Sequence, residues 1–163
     1  MEDKERRDEQ FVSAIRQNRA GMFRVARMML RNDSDAEEAV AEATMRAYAH
    51  IGSLRSWDAV RPWLMRITVN ASHKVLRTRK RETPSDEQSV FDRPAPEQKR
   101  ADIWDEVKKL DEKYSVPLTM FYAEDMSLAE ISRALRLTRG TVSSRLTRGR
   151  QKLKAMMEKE EAL

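Results

Sequence analysis

Apolar residues recur along this chain at intervals of three and four, and stretches of strand-like alternation are missing. Phe11, Val12 and Ile15 begin one stripe, and Met22, Ala26, Met29 and Leu30 carry a second on one helical face, with Gly21 near the junction. Asn32–Asp33–Ser34 breaks the pattern, and Ser34 with Glu37 reads as a capping box. The next helix has Ala36, Val40, Ala43, Ala47 and Ile51 at spacings of three or four. Residues 51–61 read as a loop whose lone Trp57 belongs by default to a core. A long helix then starts near Asp58, with Pro62 in its first turn and Val60, Leu64, Ile67, Ala71 and Val75 as its inner stripe.

Residues 82–96 hold three of the five prolines and show no helical stripe, so they read as a flexible linker. Within it Val90 and Phe91 are the bulky apolar residues. Beyond it, Ile103, Trp104, Val107 and Leu110 share a helical face, followed by Tyr114, Pro117, Leu118, Phe121 and Tyr122. Pro117 makes that segment start nearby or bend. Ser127 and Glu130 form a capping box, and Thr138 caps a second helix with Val142, Leu146 and Leu153 inward. Residues 156–163 read as a mixed-charge tail. The expected fold is all-α: two small helical domains, residues 1–81 and 97–163, joined by the 82–96 linker, the second domain a helix–turn–helix.

Composition sharpens this picture. With four glycines and five prolines in 163 residues, long helices are favoured over strands. The formal charge is +5, but 27 acids accompany 32 Lys and Arg, so the basicity is regional. Regional basicity suits one face for nucleic acid and another for a different partner. There is no cysteine, which removes disulfides and thiolate sites. No apolar run approaches a membrane span, and the charged N-terminus lacks a signal-peptide core, so a cytoplasmic protein without membrane insertion is expected.

Three surfaces carry candidate chemistry. Between 139 and 154 the basic residues Arg139, Arg145, Arg148, Arg150, Lys152 and Lys154 stand without an acid. The outward face of that helix, Gly140, Ser143, Ser144, Thr147 and Arg148, is short, polar and basic, as groove and phosphate contact requires. A solvated basic hairpin is the plain alternative. The second surface is the stripe Arg66, Asn70, His73, Lys74 and Arg77, running into Arg79–Lys80–Arg81. Asn70 is its residue best suited to a base edge. The third is acidic: Asp35, Glu37, Glu38 and Glu42. Complementing the helix dipole and docking a basic partner explain those acids equally well. His50 and His73 sit in no metal-ligand spacing, and no nucleophile motif or phosphate loop occurs, so no enzyme activity, metal or cofactor is expected.

The segments DAEEAVAEATMRAY (35–48), PWLMRITVNASHKVLRTRKR (62–81) and SLAEISRALRLTRGTVSSRLTRGRQKL (127–153) together resemble bacterial sigma factors of the extracytoplasmic-function class. The resemblance runs from about Phe11 to Leu153. It implies a subunit that binds core RNA polymerase and directs promoter recognition and melting. Asp35, Glu38 and Glu42 would dock on the polymerase, which favours the docking reading of the acidic stripe. The 52–61 loop, with Ser53, Leu54 and Arg55, would take up a flipped base of the minus-ten element, and Arg66, Asn70, Lys74 and Arg77 would hold the melting duplex. Arg139, Gly140, Thr141, Ser143, Ser144, Thr147 and Arg148 would read the minus-thirty-five element. An anti-sigma factor is the implied inhibitor, and the free chain would be a monomer. Ala41, Asp111, Arg136 and Ser143 depart from the family pattern, and Arg136 would be strained if its turn needs positive φ. The competing reading is a self-standing helix–turn–helix repressor or activator.

Overall fold

The computed structural model describes residues 1–82 and 102–162. Among these, all regular structure is helical. The expected linker, with Val90 and Phe91, lies outside the described residues apart from Glu82, as does the start of the second domain at 97. Glu82 closes a helix and pairs with Arg79.

The two apolar stripes at the N-terminus form one helix, α1 (Glu2–Met29), instead of two segments. Gly21 is carried inside it. An internal glycine costs about 1 kcal/mol against alanine, and this one leaves room for the Glu124 side chain, which approaches it closely. Phe11, Ile15, Met22, Val25 and Ala26 face inward, while Val12 is exposed. The chain leaves α1 at Leu30 in an extended conformation.

Helix α2 (Asp33–Ala49) starts earlier than the expected Ser34 cap. Asn32 is the N-cap: its Oδ1 accepts from the Asp35 N–H at 2.8 Å, and its Nδ2 donates to Asp35 Oδ2 at 3.0 Å. Asn and Ser are comparable caps, and the earlier start brings Asp33 and Asp35 into the first turn. Its buried face is almost all alanine, Ala36, Ala39, Ala43 and Ala47 with Val40, which lets α2 lie close to its neighbours. After single helical turns at Ile51–Ser53 and Trp57–Ala59, helix α3 (Val60–Glu82) crosses both. Trp57 is half-buried against the core, as a lone tryptophan should be. The buried face of α3 is wider than its apolar stripe. Thr68 and Ser72 lie fully inside, because their hydroxyls donate to the carbonyls of Leu64 and Thr68 at 2.8 Å.

The second half begins with α4 (Ile103–Val107), capped by Asp102. Of the apolar face expected there, Val107 is buried, but Ile103 is 46% exposed. Helix α5 (Glu112–Leu118) contains the buried Pro117, and the chain widens directly after it into a π-helical turn, Thr119–Ala123. Proline lacks an N–H and crowds the preceding turn, whereas the widening lies on its C-terminal side, so Pro117 sits beside the irregular turn without itself causing it. Helices α6 (Leu128–Leu135) and α7 (Arg139–Glu161) complete the unit. Residues expected as a tail from 156 continue α7 to Glu161. Gly149 is buried where α7 crosses α5: an added Cβ would lie 3.1 Å from Leu118 Cδ1 and 3.3 Å from Tyr114 Cβ.

The halves are packed together. Helix α3 lies against α6, and α1 lies against α5 and the π turn.

Candidate nucleic-acid interface

The α6–α7 pair is built by its caps. Ser127 Oγ accepts from the Glu130 N–H at 3.1 Å while the Glu130 carboxylate accepts from the Ser127 N–H at 3.3 Å. Thr138 Oγ1 accepts from the Thr141 N–H at 3.1 Å. Between the helices Arg136 sits at φ 56°, ψ 45°, the left-handed conformation that a glycine takes freely. With Ile131, Ala134, Val142 and Leu146 buried, the opposite side of α7 is forced outward. Arg139, Gly140, Ser143, Ser144, Thr147 and Arg148 are all exposed on it. Thr141 differs: it is half-buried, and its hydroxyl is engaged with that of Thr138 at 2.9 Å. Arg150, next on this side, donates to Tyr122 Oη at 3.1 Å.

On α3 the stripe divides. Asn70 and Arg77 are exposed and Arg66 is half-covered. Lys74 is exposed too, but its Nζ reaches Glu42 of α2 at 3.2 Å. His73 is half-buried, and its Nε2 meets the Glu112 carboxylate of α5. That bond raises the His73 pKa above its ordinary value, with burial pulling the other way. At the adjoining turn, Ser53 Oγ donates to the His50 carbonyl at 2.7 Å, Leu54 is half-buried and Arg55 projects into solvent.

The acidic stripe of α2 is partly tied to the end of α3. Arg79 holds Asp35 at 2.9 Å and Glu38 at 3.1 Å, and Glu42 accepts from Arg46 at 3.0 Å. The Asp35 side chain is only 15% exposed, whereas Glu38 is 57% exposed. The Lys74 hydrogen bond, helped by Arg46, holds the Glu42 carboxyl below its usual range. In the sequence Arg79 reads as one member of a basic cluster. Its pairing with acids some forty residues earlier leaves no local signal.

A further group was invisible in the sequence. Glu124 comes just after the π turn, and its carboxylate accepts from Arg24 Nε at 2.5 Å and Nη2 at 2.8 Å. Arg61 Nη2 and Nε donate to Glu130 at 2.7 and 2.9 Å, and Arg61 Nη1 donates to the Glu124 carbonyl at 3.2 Å. These pairs join the two halves, and a cleft of about 250 Å³ remains between them. Arg66, Asn70 and His73 line it from one side, and Glu112, Arg136 and Arg145 from the other.

Among the described residues, no group of three or more His, Asp or Glu is placed to hold a metal, and no helix is long and apolar enough to cross a membrane.

Comparison with known proteins accounts for this arrangement. The family model for sigma-70 region 2 matches residues 14–82, and that for sigma-70 region 4 matches residues 100–153. The extracytoplasmic-function RNA polymerase sigma factor SigM of Mycobacterium tuberculosis is 29% identical over 150 residues, spanning 90% of this chain and 76% of the relative. SigM of Bacillus subtilis is 29% identical over 143 residues, spanning 83% and 87%. Among solved structures, the sigma factor RpoE in complex with the anti-sigma factor NepR from Bartonella quintana superposes with a TM-score of 0.74 at 21% identity, covering 91% of this chain and 96% of that one. CnrH in complex with the cytosolic domain of CnrY superposes with a TM-score of 0.68 at 21% identity, covering 91% and 87%. The chain belongs to the sigma-70 family of RNA polymerase sigma factors, in its extracytoplasmic-function class.

Proposed function

We propose that this chain is a dissociable initiation subunit: it binds core RNA polymerase, directs it to promoters and assists their melting, under the control of an anti-sigma factor. The observation that carries this reading is that sequences matching sigma regions 2 and 4 stand in one chain, each with its own exposed polar and basic helix face. A repressor whose N-terminal half served only for dimerisation would have no use for the α3 face.

In this reading the unit 1–81 docks on the polymerase through α2 and handles the minus-ten element. Glu38 is the most accessible docking acid. Asp35 and Glu42 become available as Arg79 and Lys74 exchange partners. Ser53, Leu54 and Arg55 receive the flipped base, whose unstacking costs a few kcal/mol and must be offset by the pocket. Arg66, Asn70, Lys74 and Arg77 hold the backbone and base edges of the opening duplex. The unit 97–163 reads the minus-thirty-five element in the major groove through Ser143, Ser144, Thr147 and Arg148, with Arg139, Gly140 and Thr141 at the helix start. The protein has no catalytic centre of its own, needs no cofactor, acts in the cytoplasm and is a monomer when free. Its anti-sigma partner would hold it as the anti-sigma factor NepR holds RpoE.

The test is reconstituted transcription. Purified chain, core polymerase and promoter DNA are expected to yield discrete transcripts that core alone does not produce. Absence of core binding, with a symmetric footprint on an inverted repeat, would instead establish a self-standing regulator.

A further inference from the structure

We propose that the cleft of about 250 Å³ between α3, α5 and the helix–turn–helix binds a small phosphate-bearing anion, of the size and charge of inorganic pyrophosphate. Such a ligand is independent of the sigma-factor function proposed above, which calls for no small molecule.

Cations are gathered there from separate elements. Arg66 comes from α3, Lys113 from α5, Arg136 from the turn after α6, and Arg145 from α7. Among the described residues none of the four is in an ion pair, whereas Arg24, Arg27, Arg46, Arg61 and Arg79 all hold carboxylates. Lys113 lies 5.2 Å from the Tyr114 ring instead. Glu112 is the acid among the described lining residues, and its carboxylate is engaged by His73 Nε2. Like charges brought to one cleft repel unless an anion stands between them. The apolar residues Val69, Val116 and Leu137 share the lining, and low-dielectric walls concentrate the field of such a cluster.

Arg136 is the most telling of the four. It stands at φ 56°, ψ 45°, a conformation that glycine takes without strain. Strained backbone concentrates at functional sites, and here the strain keeps a guanidinium at the cleft where a glycine would leave none. Guanidinium groups bind phosphate oxygens through two parallel N–H bonds. One phosphate carries about −1.5 to −2 charges at neutral pH, which leaves four cations only half balanced; two linked phosphates come closer. The cleft is below the range of about 300–1,000 Å³ for drug-sized ligands. It therefore admits two phosphates, and the sugar and base of a nucleotide would extend outside it. Asn70, exposed and also on the lining, supplies a neutral amide donor. Arg66 and Asn70 are donors proposed above for promoter DNA, but Lys113, Arg136 and Arg145 have no part in that role.

The experiment is calorimetric titration of the full chain with sodium pyrophosphate, in about 0.1 M chloride to screen diffuse attraction. Saturable binding of one ion per chain is expected. Arg145→Gln should weaken it about tenfold or more, as the loss of a hydrogen bond to a charged group does. Arg136→Gly should weaken it similarly while keeping a urea midpoint at or above the parent's, which separates loss of a ligand group from loss of the fold. Arg133→Gln removes an exposed charge from α6 that does not line the cleft, and should leave the affinity unchanged. Adenosine diphosphate in place of pyrophosphate identifies the source. Tighter, Arg145-dependent binding assigns the site to the phosphates of a nucleotide, and weaker binding assigns it to the inorganic ion. No saturable binding by the parent, or equal losses in Arg133→Gln and Arg145→Gln, overturns the site. So does Arg145-dependent binding of a single-stranded oligonucleotide without any of pyrophosphate, which would make the cleft part of the DNA-binding face.

Discussion

Arg61 and Glu130 face each other across the seam between the halves, with guanidinium nitrogens 2.7 and 2.9 Å from the two carboxylate oxygens. One of those oxygens also accepts from the Ser127 N–H at 3.3 Å. A single carboxylate thus caps the first helix of the helix–turn–helix and ties it to the other half.

Glu130→Ala is therefore expected to cost more than either role alone, about 1–3 kcal/mol for a lost capping interaction together with a charge-assisted pair. A double-mutant cycle with Arg61→Ala, followed by thermal unfolding, separates the two contributions. The Arg61 hydrogen bond holds the Glu130 carboxyl below its ordinary 4.5. Its stabilisation is then present above about that pH and lost as pH falls through the lower folded value. Acid titration of Arg61→Ala should show less of this loss than the parent.

His73 predicts the opposite direction. Its partner Glu112 raises its pKa above the ordinary 6.5, against burial and Arg77 on the same helix. Arg66, Lys113, Arg136 and Arg145 line the same cleft. Stability from the pair is complete below about pH 6.5 and declines as pH rises through the raised value. The parent should exceed His73→Gln in urea stability at about pH 6, and the difference should shrink by about pH 8.

Arg136 holds a left-handed conformation, which costs a residue with a Cβ roughly 1–2 kcal/mol. Arg136→Gly relieves this but loosens the unfolded chain. A net gain of about 0.5–1 kcal/mol is expected, visible as a higher urea midpoint at unchanged slope.

Gly149 is where α7 rests on α5. Gly149→Leu forces Leu118 and Tyr114 apart and is expected to cost about 1–3 kcal/mol, the usual range for overpacking. Thermal unfolding of the full chain measures it.

Arg148 is exposed on the reading face. Arg148→Ala should weaken promoter binding by about 1–3 kcal/mol and, for a phosphate contact, flatten the salt dependence by about one unit of slope. Titrations of the holoenzyme at several salt concentrations decide this. Unchanged affinity and slope would show that the helix presents a different side to DNA.

The helices were legible because burial of a helical face writes a period into the sequence. Leu64, Ala71 and Val75 could be read as inward residues, and the Ser127–Glu130 and Thr138 caps as helix starts, from spacing alone. The places where that reading slipped have local physical causes. Asn32 competes with Ser34 as a cap on equal terms. Gly21 resembles a break but stands inside α1. Thr68 and Ser72 belong to neither stripe that the spacing marks, yet each hydroxyl finds a carbonyl one turn back and can be buried.

By itself, then, the sequence determined the features that neighbouring residues set between them: an all-helical fold, most of its caps, and which face of α7 carries Ser143, Ser144, Thr147 and Arg148. The tertiary structure decided the features that depend on residues far apart. It drew Arg79 back onto Asp35 and Glu38 and tied Lys74 to Glu42. It also placed Arg24 and Arg61 opposite Glu124 and Glu130, up to a hundred residues away. Ion pairs between distant elements have no periodicity, and any arginine can meet any glutamate. Only the packing of the helices chooses among the 32 basic and 27 acidic side chains the chain offers.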